Sequence, residues 1–270
     1  MQAHFITAVL TSLLLFPSPS RSEIEVCPIK SEFHPSAKIR ILKPDHIAAD
    51  QKLKVVYVLP VEPGEGNRFG DGLEEIKKKD LHNQWRAMFV APSFHEWPWY
   101  ADHPEKPEVR QETHFLKAVI PWVETNYPVQ KSAEGRLLLG FRESGWGAWS
   151  LLLRHPDLFH KAVAWDAPLM MQQVGKYGSG DVMGTQEQFE KYKITERLRQ
   201  SVLPTAKPWP TQPRLILLGY GNFRTDHEQM HKLLNELKIP HVYRDGPARK
   251  HDWHSGWVAE AVGLLLAEQE

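Results

Sequence analysis

Cysteine is almost missing from this chain of 270 residues: Cys27 is the only one. No intramolecular disulfide can form, so burial and hydrogen bonding must hold the fold. Charge of one sign is missing too. Lys plus Arg and Asp plus Glu each count 33, which makes the formal net charge zero. Without a net field or a basic stripe, neither nucleic acid nor an anionic membrane is an expected partner. There is no internal repeat and no low-complexity tract, so solenoid and linker architectures are set aside. No apolar run approaches the roughly 20 residues a membrane-spanning helix needs.

The nearest thing to such a run is Phe5 to Phe16, inside MQAHFITAVLTSLLLFPSPSRS. It is too short to span, and Ser18, Ser20 and Ser22 after it could frame a cleavage site. The positive charge ahead of it is slight, only His4 and the α-amino group. Residues 1–22 are therefore expected to be a signal peptide, making the mature protein secreted or periplasmic and free of the membrane. Val26 precedes Cys27 where a lipoprotein would carry a small residue, so Cys27 reads as a bystander.

The rest, 23–270, has the size of one large α/β domain. Apolar runs expected as strands cover 38–42, 53–59, 87–91, 162–165, 214–218 and 241–244. Between them lie helical patterns at 108–127, 226–237 and 256–266, with Pro121 expected to kink the first. The segment 166–213 breaks the alternation with a Gly-rich stretch, a helix expected over 186–198, and Pro204, Pro208, Pro210 and Pro213. It reads as a cap inserted over the carboxyl end of the sheet. Strands alternating with helices predict a mostly parallel sheet covered on both faces. Ten tryptophans, several of them among charges, suit a pocket that stacks on sugars or aromatic groups.

One stretch points to chemistry. RLLLGFRESGWGAWSLLLRHPDLF, 136–159, reads as apolar strand, tight turn and helix. That is the setting of the nucleophile elbow G-x-S-x-G. It resembles the elbow of the esterase D-like serine esterases, G-x-S-x-G-G-x-G-A, with Gly140, Gly145, Gly147 and Ala148 in register. Arg142 stands at the serine position and Ser144 at a glycine position. The segments PSFHEWPWYADH and RQETHFLKAVIPWVETNYP resemble what these esterases carry before the elbow, and the likeness runs over about 50–266. It implies an α/β-hydrolase fold, carboxylic-ester hydrolysis with no cofactor, and a triad in the order nucleophile, acid, histidine. By that likeness Asp226, in the loop GYGNFRTD, matches the acid. His251, followed by Trp253 and Trp257 in HDWHSGW, matches the histidine. Asp226 reads equally as a helix N-cap, His251 as a surface histidine, and His254 as a lesser candidate.

Arg142 alters the mechanism these residues would serve. Guanidinium stays protonated and offers neither nucleophile nor base. The amide of Glu143 would remain an oxyanion donor, but the second donor is in doubt, since LPVEPGEG at 59–66 lacks the usual H-G motif. Three readings compete. In the first, covalent catalysis is lost and Arg142, beside His251 and paired with Asp226, marks a non-hydrolytic or anion-binding pocket. In the second, Ser144 is the nucleophile. In the third, a metal or water mechanism operates. For that last, HEQMH at 227–231 spells H-E-x-x-H, and His95, Glu96, Asp102 and His103 cluster, but neither has a third ligand at a characteristic spacing, so no metal is expected. The favoured expectation is an esterase-like protein with weak or lost serine-esterase activity, acting on a small-molecule ester or a carbohydrate-type ligand. The alternative is a pseudoenzyme that binds in the same pocket.

Overall fold

The computed structural model describes residues 22–267 apart from Pro35 and Glu65. The expected signal peptide falls almost wholly outside the described residues. Eight strands form a single sheet: β1 (Glu25–Pro28), β2 (Lys38–Leu42), β3 (Val55–Val58), β4 (Met88–Pro92), β5 (Arg136–Phe141), β6 (Lys161–Trp165), β7 (Leu215–Tyr220) and β8 (His241–Ala248). Their spatial order is β1-β2-β4-β3-β5-β6-β7-β8. β1 and β2 run antiparallel to their neighbours, and the rest of the sheet is parallel. The sequence pattern did not anticipate β1, whose alternating half-buried and exposed residues make a short antiparallel edge. The expected α/β-hydrolase architecture is present.

Helices cover both faces. They are α1 (Gly72–Lys78), α2 (Leu81–Gln84), α3 (Gln111–His114), α4 (Ile120–Asn126), α5 (Arg142–Arg154), α6 (Ser179–Met183), α7 (Gln186–Tyr192), α8 (Ile194–Ser201), α9 (Arg224–Glu236) and α10 (Val258–Leu266). The central strands are buried along their whole length, β5 and β6 at every position. Alternate residues of β5 therefore feed two cores. Leu138 faces the side of α5, α8 and α9, while Leu137, Leu139 and Phe141 face the side of α1 and α10. Each fully buried Leu or Phe contributes about 1.5–3 kcal/mol.

Two helices differ from the sequence pattern. Between α3 and α4 lies a π-helical turn, Phe115–Val119, immediately before Pro121. A proline has no N–H and crowds the carbonyl four residues back, so the wider turn accommodates it within a continuing helix. The single helix expected over 186–198 is two, because Lys193 (φ −57, ψ 119) leaves helical geometry between α7 and α8. Among the described residues no helix is long and apolar enough to cross a membrane.

Candidate active site

β5 delivers the chain to the elbow in extended form at Phe141 (φ −137, ψ 143), and α5 starts at once. Arg142 carries the turn with φ 52. A non-glycine residue in this left-handed region costs about 1–3 kcal/mol unless its surroundings enforce it. The enforcement is visible in the glycines around it. A Cβ on Gly140 would strike the Ser144 carbonyl oxygen, one on Gly145 would come 2.8 Å from Ala167 Cβ, and one on Gly147 would run into the Tyr100 ring. The motif glycines thus serve the packing of strand against helix.

Ser144 is completely buried. Its Oγ donates to the Phe141 carbonyl at 2.9 Å and accepts the Phe141 N–H at 3.0 Å, closing the elbow on itself. Both bonds stay within the elbow turn.

His251 lies in the loop after β8, and its Nδ1–H donates to the Asp166 carboxylate. The expected partner, Asp226, is not there. It sits in the first turn of α9, two residues inside a helix that begins at Arg224, and accepts the Met170 N–H at 3.0 Å. Burial first, and the nearby Asp166 charge, hold its carboxyl above the ordinary range against the opposing Met170 bond. Neither an N-cap nor a partner of Arg142, Asp226 ties the chain just after β6 to α9.

Asp166 directly follows β6 and is buried, with φ 42. Oδ1 accepts the Phe223 N–H at 2.6 Å, and the Asn222 N–H lies 2.9 Å from both oxygens. Burial alone would raise its pKa. The bonds from His251 and from the amides of Gly221, Phe223 and Asn222 outweigh that and hold it below the ordinary carboxylate range. The result is an ionised, saturated acid that fixes the His251 ring and leaves Nε2 as the nitrogen available to a ligand or water. Aromatic rings enclose the imidazole: Phe141 at 4.7 Å, Phe69 and Phe223 at 5.8 Å, Trp165 at 6.5 Å between centroids.

At the elbow, Arg142 Nη2 pairs with Glu143 Oε1 at 3.0 Å, and the guanidinium carbon lies 4.1 Å over the Phe69 ring. Burial pushes the Glu143 carboxyl up to about 7, Arg142 and its own backbone amide pull the other way, and Glu62 adds to the rise. That amide is the expected oxyanion donor, so it already faces a carboxyl group of its own residue. In the loop after β3, the N–H groups of Gly64 and Gly66 are engaged by the carbonyls of Phe94 and Pro63. Neither can serve as the second donor.

The remaining candidates hold structural positions. In HEQMH, His227 is buried and its Nε2 accepts the Ala167 N–H at 2.9 Å, while Glu228 pairs with Arg224 at 3.0 Å. His231 bonds His241 at 2.7 Å and stacks on Tyr243. These side chains diverge, and no cluster of metal-ligating residues occurs among the described residues. Asp102 engages Thr113, and His103 Nδ1 accepts the amides of Glu105 and Lys106. His95 lies against His34 at 4.0 Å. His254 Nδ1 meets Glu75 at 3.1 Å. Trp253 is buried against Phe141 and Trp257, one wall of a cavity of about 350 Å³ that Glu62 also lines.

Among solved structures, the chain is similar to a fluorophosphonate-binding serine hydrolase of Staphylococcus aureus, at 16% identity over 92% of this chain and 100% of that one, with a TM-score of 0.72. An S-formylglutathione hydrolase of the same organism gives 16%, 92%, 100% and 0.71. A ferulic acid esterase of Anaeromyces mucronatus gives 15%, 92%, 90% and 0.61. At these identities the likeness is one of fold. No curated protein matches in sequence. The family model described as "Putative esterase" matches residues 77–238, more than half the chain and inclusive of the elbow. The strand-turn-helix elbow, the buried Asp–His pair beside it and that match agree: the chain belongs to this esterase family.

Proposed function

We propose that this member of the esterase family has lost covalent serine-ester hydrolysis and binds a small molecule, an ester or an acylated carbohydrate, at the carboxyl end of its sheet. The observation that carries the reading is Arg142 at φ 52, in the position and backbone geometry of an elbow nucleophile. A guanidinium there can attract but cannot attack. The engagement of the Ser144 hydroxyl by the Phe141 backbone removes the nearest substitute.

The test is direct. The purified protein should not label with a fluorophosphonate probe and should turn over 4-nitrophenyl acetate no faster than Ser144→Ala does. Arg142→Ser should place a hydroxyl beside His251–Asp166 and raise turnover by at least about a hundredfold, the usual worth of general-base assistance. Labelling of the unmodified protein that disappears in Ser144→Ala sinks the proposal.

A second reading is favoured by the retained His251–Asp166 pair, a general base with no hydroxyl to serve. It could activate water for slow ester hydrolysis. Residual turnover that His251→Ala removes and Ser144→Ala leaves intact would select it. Export is part of the proposal and rests on the apolar segment 5–16. A mature N-terminus near Ser22 after expression in a secreting host supports it, and an intact Met1 in the extracytoplasmic fraction counts against it.

A further inference from the structure

Arg142 and Glu143 satisfy each other by halves. Arg142 Nη2 meets Glu143 Oε1. Arg142 Nε and Glu143 Oε2 are both buried and have no hydrogen-bond partner among the described residues. A guanidinium edge made of Nε and one Nη is the fork that takes a carboxylate in two parallel hydrogen bonds. Here one tine is used and the other is idle. Glu143, on the same turn of helix, engages only one tine.

Aromatic rings lead from this fork to the surface. Phe69 lies beneath the guanidinium and stands edge-on to His251. Phe223 also packs on His251, and the exposed Tyr177 stands edge-on to Phe223 at 5.6 Å. Phe69 and Phe223 are only partly covered. Phe69 carries Arg142 at 4.1 Å and Arg68 at 5.1 Å, so a flat apolar group laid against its open edge would reach the Arg142 guanidinium.

We propose that Arg142 anchors the carboxylate of an aromatic acid, and that Glu143 is the internal anion such a ligand displaces. This rests on the reading that the elbow binds instead of attacking, with the free acid and not its ester as the ligand held there. The charged groups that act on Glu143 are Arg142 on α5 and Glu62 in the loop after β3, so the contest for Arg142 is between Glu143 and the ligand. Glu143, displaced into a buried site beside Glu62 and an incoming anion, must take up a proton. Its carboxyl is already raised to about 7 by burial. Ligand binding is therefore linked to proton uptake, and affinity rises as pH falls through neutrality.

The probes are 3-phenylpropionate, its neutral amide, and acetate, titrated calorimetrically into the full mature chain at pH 6 and pH 8.5. The expected result is binding of 3-phenylpropionate at least about tenfold tighter than either comparison compound, and about tenfold tighter at pH 6 than at pH 8.5. Arg142→Met should abolish it, Arg142→Lys should weaken it by keeping the charge without the fork, and Glu143→Gln should bind with a flattened pH dependence. Equal affinity for the amide, or wild-type affinity in Arg142→Lys, overturns the fork. Equal affinity for acetate overturns the aromatic part. Should Arg142→Met fail to fold, the three ligands on the unmodified protein still decide. Hydrolysis of methyl 3-phenylpropionate by the unmodified protein would sink the non-covalent reading while leaving these affinities readable. Absence of both turnover and carboxylate binding sinks this inference alone.

Discussion

Two aspartates separated by 60 residues in sequence divide a role that the sequence pattern gave to one. Asp166 accepts from His251 and from backbone amides inside the core, so its loss leaves several donors without water or partner. Each such orphan costs about 1–3 kcal/mol. Asp166→Ala should lower stability to urea by about 3 kcal/mol or more. Asp226→Asn keeps an oxygen for the Met170 N–H and removes a carboxyl that burial already disfavours, so its midpoint should stay within about 0.5 kcal/mol of the unmodified protein. Equal losses in the two variants would refute this division. Both aspartates satisfy the order nucleophile, acid, histidine, and both follow a strand. What separates them is which strand end faces the loop of His251 across the sheet, a tertiary distance that spacing along the chain does not encode. The dipeptide Trp165–Asp166 at the end of an apolar strand was the available signal. It was masked by being the first residue of the irregular segment.

Among elements, the helices between β6 and β7 depend on a buried carboxylate. Glu112 of α3 meets Arg154 and His155 at 2.6 Å through one oxygen and receives the Tyr192 hydroxyl at 3.2 Å on the other. Arg154 also covers the Tyr192 ring at 3.9 Å. Burial would raise the Glu112 pKa, but His155 and Arg154 hold it below the ordinary value, so the group stays charged. Removing one partner of a buried ion pair costs about 3–5 kcal/mol because the other charge is left stranded. Glu112→Ala should therefore speed amide hydrogen exchange across 186–201 while leaving β5 and β6 protected. Uniform acceleration over the sheet would show that the contact supports the whole molecule instead. The alternation of strands and helices was readable in sequence because its periods are local. The split at Lys193 and the edge strand β1 were not, since each depends on what packs against it.

For the molecule as a whole, buried histidines govern acid stability. His227 is held neutral, its pKa lowered to about 4 by burial in spite of Asp166 and Asp245, and His114 is lowered to about 3 by burial and by His34 and His95. Both values lie below the unfolded 6.5. The stability they contribute is complete above about pH 6.5 and is lost as pH falls from there through 4 and 3. Each unit of depression is worth about 1.4 kcal/mol at most. The urea midpoint should drop steadily between pH 6.5 and 4, and His227→Gln, which keeps an acceptor for the Ala167 N–H, should shallow that slope. An unchanged slope would place the acid sensitivity elsewhere.

The ring of aromatics around His251 also has an optical consequence. Trp165 lies 6.5 Å from the imidazole and stacks flat on Trp257 at 4.8 Å, which in turn stacks on Trp253. These buried tryptophans are thus a built-in emitter packed against the site's own histidine. Their emission should change when a ligand settles against His251 and should lose that response in Trp165→Phe, so occupancy of the site can be followed by light without any label.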